Sequence, residues 1–316
     1  MAGHTRRAAL TGAASAAAIG LSPGTAHAVG GRRHGGTTFV FAAGSNGAGT
    51  TVDELALRGH RCVGVTPPGF ADTAGQYRRS YQAPQDLAAL ATEPSPLAGV
   101  TLADQVDATV AVVRRAACLG PVVLVGGSIG GATITLVANR VPELIDRLVY
   151  DTAYCCTELA SPDEYLRTPE GAASEVGELL GFLAADPAVI GAVRSNWRLA
   201  DPDLLATAKR VLIEDGTDAE LFALLNSMAP DEILGKGAED SRGDPRGWGR
   251  VPRAYIRHAR DRVLPLPLQN RMIAEADRRT PGNRFTVFDL DTGHVPNVAK
   301  TAELIEILDR LARRRS

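Results

Sequence analysis

Residues 122–125, Val-Val-Leu-Val, run without a break into Gly126-Gly127-Ser128-Ile129-Gly130, and an apolar-rich helical pattern over 129–140 begins at once. A short continuous apolar run suits a strand covered on both faces. A helix entered straight from such a strand opens a crossover to a parallel neighbour. Glycines either side of the serine allow a sharp turn and a close passage of two backbones. This junction restricts the chain to an α/β architecture.

The remaining sequence keeps the same rhythm. Residues 38–42 read as a buried strand ending at Gly44-Ser45-Asn46-Gly47, and 61–66 as a second strand stopped by Pro67-Pro68-Gly69. Leu102, Val106, Val110, Val113 and Ala117 recur at helical spacing. Further strands are expected at 148–150, 254–256 and 285–290, with helices over 268–276 and around Leu304, Leu308 and Leu311. The expected fold is a doubly wound, mostly parallel sheet of about six strands with helices on both faces. Residues 37–151 and 251–316 form its core. The interval 152–250 breaks the rhythm, with helical patterns at 202–212 and 219–227, no strand pattern, and a Gly/Asp/Arg-rich stretch at 235–250. It is expected to be a helical cap inserted between two strands.

The first 28 residues have the layout of an export signal. Arg6-Arg7 stands in Thr5-Arg6-Arg7-Ala8-Ala9-Leu10, an Ala-rich apolar run follows, and Ala26-His27-Ala28 supplies a small-x-small cleavage site. The paired arginines point to the twin-arginine export machinery of bacteria as a partner, and hence to a secreted or extracytoplasmic protein. Residues 29–36 read as a linker. No later stretch of about 18 apolar residues occurs, so no transmembrane anchor is expected in the mature chain.

Charge excludes some partners. With 34 basic and 36 acidic residues, nothing in the balance favours nucleic acid or an anionic surface. Four cysteines are too few for a disulfide framework in 316 residues. Cys62 and Cys118 are expected in the core, on a strand and a helix. No Cys/His spacing matches a metal site, so neither metal nor cofactor is expected.

Ser128 stands where a strained strand-to-helix turn would present it, with the first turn of the helix pointing backbone N–H groups toward it. The pattern Gly-x-Ser-x-Gly is weak alone among 33 glycines; the flanking strand and helix give it meaning. A serine needs a base to become a nucleophile. Of six histidines, His4, His27 and His34 lie in the signal or linker. His60 precedes the second strand and His258 ends a later one. His294, in Asp291-Thr292-Gly293-His294, follows the last strand, at the sheet edge where the serine turn also opens, and is the chosen base. Asp261, after the strand at 254–256, is the chosen acid, in the order Ser, Asp, His. Asp151 is the second candidate, and Asp289 and Asp291 are assigned to strand end and turn. Oxyanion donors are expected from the N–H of Ile129 and from the loop after the first strand, at Ser45 or Asn46.

With these residues in place, the mature chain resembles the α/β-hydrolase superfamily over nearly its whole length. It is most similar to the branch of plant methyl esterases and hydroxynitrile lyases with their bacterial relatives. The likeness lies in the start without extra N-terminal strands, in Gly-Gly-Ser-Ile-Gly-Gly, and in Asn196…Asp201-Pro202-Asp203…Ala206. It continues through Val251-Pro252-Arg253-Ala254-Tyr255-Ile256, Asp261…Pro265…Gln269…Met272 and Gly293-His294. The resemblance implies a Ser128–Asp261–His294 triad and no cofactor, and the function expected of these residues is hydrolysis of a small carboxylic ester or lactone through an acyl-enzyme. Two positions depart from the branch. Ala43-Gly44 stands where it carries His-Gly. Val295 stands where the lyases carry lysine, which disfavours cyanohydrin cleavage. An elimination on the same residues, or a ligand-binding homologue with weak turnover, are the alternatives.

Overall fold

The computed structural model describes residues 36–47, 53–70 and 77–313. The expected export signal, and the linker apart from Gly36, lie outside the described residues. Strand β1 (Thr38–Ala42) leads through helix α1 (Asp53–Leu57) to β2 (Arg61–Gly64). Helices α2 (Leu87–Thr92) and α3 (Leu102–Ala117) precede β3 (Val122–Ser128), α4 (Gly130–Arg140) and β4 (Arg147–Ala153). The next interval holds α5 (Pro162–Leu166), α6 (Pro187–Ile190), β5 (Ala192–Arg194), α7 (Pro202–Leu212), α8 (Asp218–Ser227) and β6 (Asp231–Ile233). The chain then re-enters the sheet as β7 (Arg253–His258), α9 (Leu266–Arg279), β8 (Thr286–Leu290) and α10 (Val298–Arg313).

Six strands form one parallel sheet in the order β2-β1-β3-β4-β7-β8. Side chains alternate across it. Val40, Leu124, Leu148 and Tyr255 pack under α3, α4 and α9, against Val106, Val110, Ile134, Val137 and Met272. Phe39, Phe41, Val123, Val125, Val149 and Ile256 face the other way, onto Leu55 of α1 and Leu304, Leu308 and Leu311 of α10. Two covered faces explain why the inner strands read as unbroken apolar runs. The strand order reverses between β1 and β3. A crevice opens at the carboxyl ends of strands at such a point, and the serine turn lies there.

Local signals set the helix starts. Thr101 and Asp104 form a reciprocal cap on α3, Thr217 and Glu220 do the same on α8, and Asp201 caps α7 ahead of Pro202. The stretch 152–250 is not free of strands, contrary to the sequence reading. β5 and β6 pair antiparallel, Arg194 opposite Asp231. The Arg194 guanidinium donates from Nε to Asp231 Oδ1 at 2.6 Å and from Nη2 to Oδ2 at 2.9 Å, both groups fully buried. Strands of three residues are too short to show a period of two, so pattern could not reveal them. This interval and the sheet belong to one compact unit, Gly35–Ser316.

The cysteines also differ from expectation. Cys118 is exposed just beyond α3, and Cys62 on β2 is only half-buried. Cys155 and Cys156 are buried, and burial pushes the Cys155 thiol up to about 12. Such thiols stay protonated and inert at neutral pH. Among the described residues, no helix is long and apolar enough to cross a membrane.

Candidate active site

Ser128 ends β3 with φ of 52°, in the left-handed region that non-glycine residues seldom occupy. The surrounding glycines hold it there. A Cβ at position 126 would lie 2.8 Å from the Gly130 carbonyl oxygen, and one at 130 would lie 2.7 Å from that of Ala42. At 131 it would meet the Tyr154 oxygen at 2.1 Å. Backbone from β1, β4 and α4 therefore converges on the serine, and side chains at these positions would force it apart.

The loop after β1 lies against the serine. A Cβ on Gly44 would come within 3.4 Å of Ser128 Cβ. Among the described residues the backbone N–H groups of Ile129 and Ser45 have no acceptor, and both flank this turn. Asn46, the other donor considered in this loop, is otherwise engaged. Its φ is 57°, its N–H donates to Glu232 Oε2 at 2.8 Å, and its Nδ2 donates to the Ala229 carbonyl at 2.9 Å. Its own carbonyl accepts the Ala229 N–H at 2.8 Å. The loop is thus tied to the segment around β6, and Ser45 is the donor left available. Glu232 is buried, and its other oxygen accepts the Ile233 N–H at 2.8 Å. Replacing Glu232 with Gln sets an amide NH₂ against one of these donors. Chemical denaturation should show a loss of about 1–3 kcal/mol, the usual cost of unpairing a buried, charge-assisted bond.

His294 follows β8, and its Nδ1 lies 2.7 Å from Asp261 Oδ2. The Asp261 carboxylate is buried and fully partnered. Oδ2 also accepts the Thr152 hydroxyl at 2.5 Å, and Oδ1 accepts the N–H groups of Val263 at 2.6 Å and Leu264 at 2.8 Å. Burial pushes its pKa up, but the charge and hydrogen bond of His294, with the Thr152 and Leu264 bonds, outweigh that and hold it below the usual carboxylate range. Its contribution to stability is therefore present above the ordinary aspartate value and lost as pH falls through the lowered one. An ionised carboxylate at Nδ1 keeps the proton on that nitrogen and leaves Nε2 as a lone pair.

Thr152 links this pair to the serine. Ser128 is in register with Ala153, the residue after Thr152, and the Ser128 carbonyl accepts the Tyr154 N–H at 3.0 Å. Among the described residues the Ser128 hydroxyl itself makes no hydrogen bond. Asp151, the second candidate for the acid, does not meet His294; its Oδ1 lies 3.0 Å from Nε2 of His258. Asp289 pairs with Arg257, and Asp291 with Arg260.

Several positioning contacts were not visible in the sequence. The Val295 N–H donates to the Leu212 carbonyl at 2.7 Å, tying the turn that carries His294 to the end of α7. Arg262, next to Asp261, bonds Glu214 at 3.0 Å and Glu175 at 2.8 Å. A cavity beside the β1 loop is lined by Ala43, Gly44, Phe70, Gln105, Thr133 and the buried Lys236. The large apolar residues of 152–250 mostly pack. Tyr165, Phe182, Trp197 and Met228 are buried and Leu159 partly so, whereas Phe222 is exposed. The Tyr165 hydroxyl is directed at Glu275 at 2.5 Å. Among the described residues, no group of three or more His, Cys, Asp or Glu side chains is placed to hold a metal ion.

Comparison with known proteins agrees with this architecture. The pyrethroid hydrolase PytH matches with a TM-score of 0.62 at 19% identity, over 89% of this chain and 98% of that one. Polyneuridine aldehyde esterase matches with a TM-score of 0.59 at 18% identity, over 88% and 99%. An extracellular α/β-hydrolase from a Paenibacillus species, described as sharing structural and functional homology with tobacco salicylic acid binding protein 2, matches with a TM-score of 0.58 at 18% identity, over 88% and 100%. No curated protein sequence matches. The model of the alpha/beta hydrolase family matches residues 30–307, which spans both the serine turn and the Asp261–His294 pair, and the chain belongs to that family.

Proposed function

We propose that this protein is a serine hydrolase that cleaves a small carboxylic ester or lactone through an acyl-enzyme. The observation that carries this reading is the left-handed Ser128 at the same sheet edge as a carboxylate-held histidine. Nε2 of His294 takes the hydroxyl proton as Ser128 Oγ attacks the ester carbonyl carbon. The carbonyl oxygen becomes an oxyanion held by the N–H groups of Ile129 and Ser45, which already lack protein acceptors. His294 returns the proton to the leaving alkoxide and then activates water, which releases the acid and restores the serine. Asp261 stays ionised throughout and stabilises the imidazolium. Relatives named as a pyrethroid hydrolase and polyneuridine aldehyde esterase support an ester as substrate. The twin arginines at Arg6-Arg7 and the extracellular relative support export.

A fluorophosphonate probe, followed by mass-spectrometric mapping, is expected to label Ser128. A panel of p-nitrophenyl esters run in ¹⁸O-water is expected to place one solvent oxygen in the acid product. Labelling at another residue, or no turnover of any ester in the panel, would overturn the reading.

A further inference from the structure

A second histidine lies behind the first. His258, the last residue of β7, is fully buried, and acceptors face both its ring nitrogens. Its Nδ1 lies 2.9 Å from the Gly293 carbonyl oxygen and 3.2 Å from that of His294. Its Nε2 lies 3.0 Å from Asp151 Oδ1. Carbonyl oxygens only accept, so Nδ1 must carry a proton. The contact with Asp151 needs a second proton between nitrogen and oxygen. The backbone of His258 is held by the Gln269 amide, whose Oε1 accepts the His258 backbone N–H at 3.1 Å and whose Nε2 donates to the His258 carbonyl at 3.0 Å.

We propose that His258 is a buried imidazolium, paired with the Asp151 carboxylate, which clamps the Gly293-His294 backbone and so positions the imidazole of His294. It is a positioning residue, and its effect on turnover rests on His294 acting as the general base. The charged and titratable groups that face it are Asp151 from β4, Asp261 from the loop after β7, and His294 from the loop after β8; α9 contributes the neutral Gln269 amide. Burial alone would strip the proton. The Asp151 charge and bond, the Asp261 charge and the Gly293 carbonyl outweigh it and raise the His258 pKa above the ordinary histidine value.

The consequence has a definite sign. The clamp is complete below the ordinary histidine value and fails as pH rises through the raised one. A neutral ring keeps one proton only. Either the two carbonyls lose their donor, or a lone pair faces the Asp151 carboxylate. In both cases the turn carrying His294 loosens on the alkaline side.

Two measurements test this on the full protein. Histidine ¹⁵N NMR of the unmodified protein is expected to show His258 with both ring nitrogens protonated at neutral pH, the resonance being assigned by its absence from His258→Asn. A neutral-ring signature would overturn the proposal without reference to activity. The pH profile of p-nitrophenyl ester turnover is expected to have an alkaline limb that moves down by about one pH unit or more in Asp151→Asn, because the charge that retains the proton is gone. In His258→Asn an amide donor replaces Nδ1 without titrating, and that limb should vanish. A loss of rate by the same factor at every pH in both variants would mean a packing role only and would overturn the clamp. Fluorophosphonate labelling of Ser128 in the parent protein separates this failure from failure of the hydrolase reading.

Discussion

Replacing Ser128 with Ala is expected to lower p-nitrophenyl ester turnover by on the order of 10⁴-fold or more while leaving thermal unfolding unchanged. The substitution removes one oxygen that bonds to nothing in the resting site and keeps the Cβ, so the φ of 52° costs the same in both proteins. Asp261→Asn makes the informative contrast. Turnover should fall by a similar factor, on the order of 10⁴, since an amide that donates to Nδ1 favours the wrong tautomer. Here stability should fall too, because the carboxylate accepts from Thr152, Val263, Leu264 and His294. Unfolding curves and steady-state kinetics on the two variants separate chemistry from fold. A Ser128→Ala variant that retains its rate would remove the serine from the reaction altogether.

The largest effect on stability is expected at Gly131, not at the serine. In Gly131→Ala the new methyl would sit 2.1 Å from the Tyr154 carbonyl oxygen. Neither backbone can retreat easily. Tyr154 is bonded to Ser128, and the peptide of Gly131 lies in the first turn of α4. Relief requires shifting the helix from the sheet, and denaturation should show a loss of about 3 kcal/mol or more. Gly127→Ala is the control. Its Cβ would meet nothing closer than the Asp151 oxygen at 3.7 Å, an ordinary contact, and the loss should stay under about 1 kcal/mol. Equal losses at the two positions would mean that backbone freedom, rather than close approach, explains the glycines of this turn.

Much of the fold was legible because its determinants are local. Residues 202–212 carry an Asp cap, a proline in the first turn and apolar residues at helical spacing, and α7 has those limits. The runs at 38–42 and 122–125 are apolar at every position because helices cover both sheet faces, and they became β1 and the body of β3. The pair β5–β6 was not legible. Its strands are three residues long, and what joins them is an ion pair between Arg194 and Asp231, 37 positions apart. Cys118 was misplaced for a related reason: a helix end has an exposed side even where the helix before it is buried.

From sequence alone came the parallel layered architecture, the strand-turn-helix that carries Ser128, and the position of His294 after the last strand. Each depends on backbone preferences and apolar spacing acting over a few residues, which are written directly in the chain. Sequence ranked Asp261 before Asp151 as the partner of His294, and tertiary structure decided between them: Asp261 goes to His294, while Asp151 goes to His258, a pairing no sequence pattern indicated, across 33 and 107 positions. It also decided that Glu232 occupies the N–H of Asn46 and leaves that of Ser45 open. The physical reason is that a buried polar group must find a partner, and which one it finds depends on how distant segments pack, not on its neighbours in the chain.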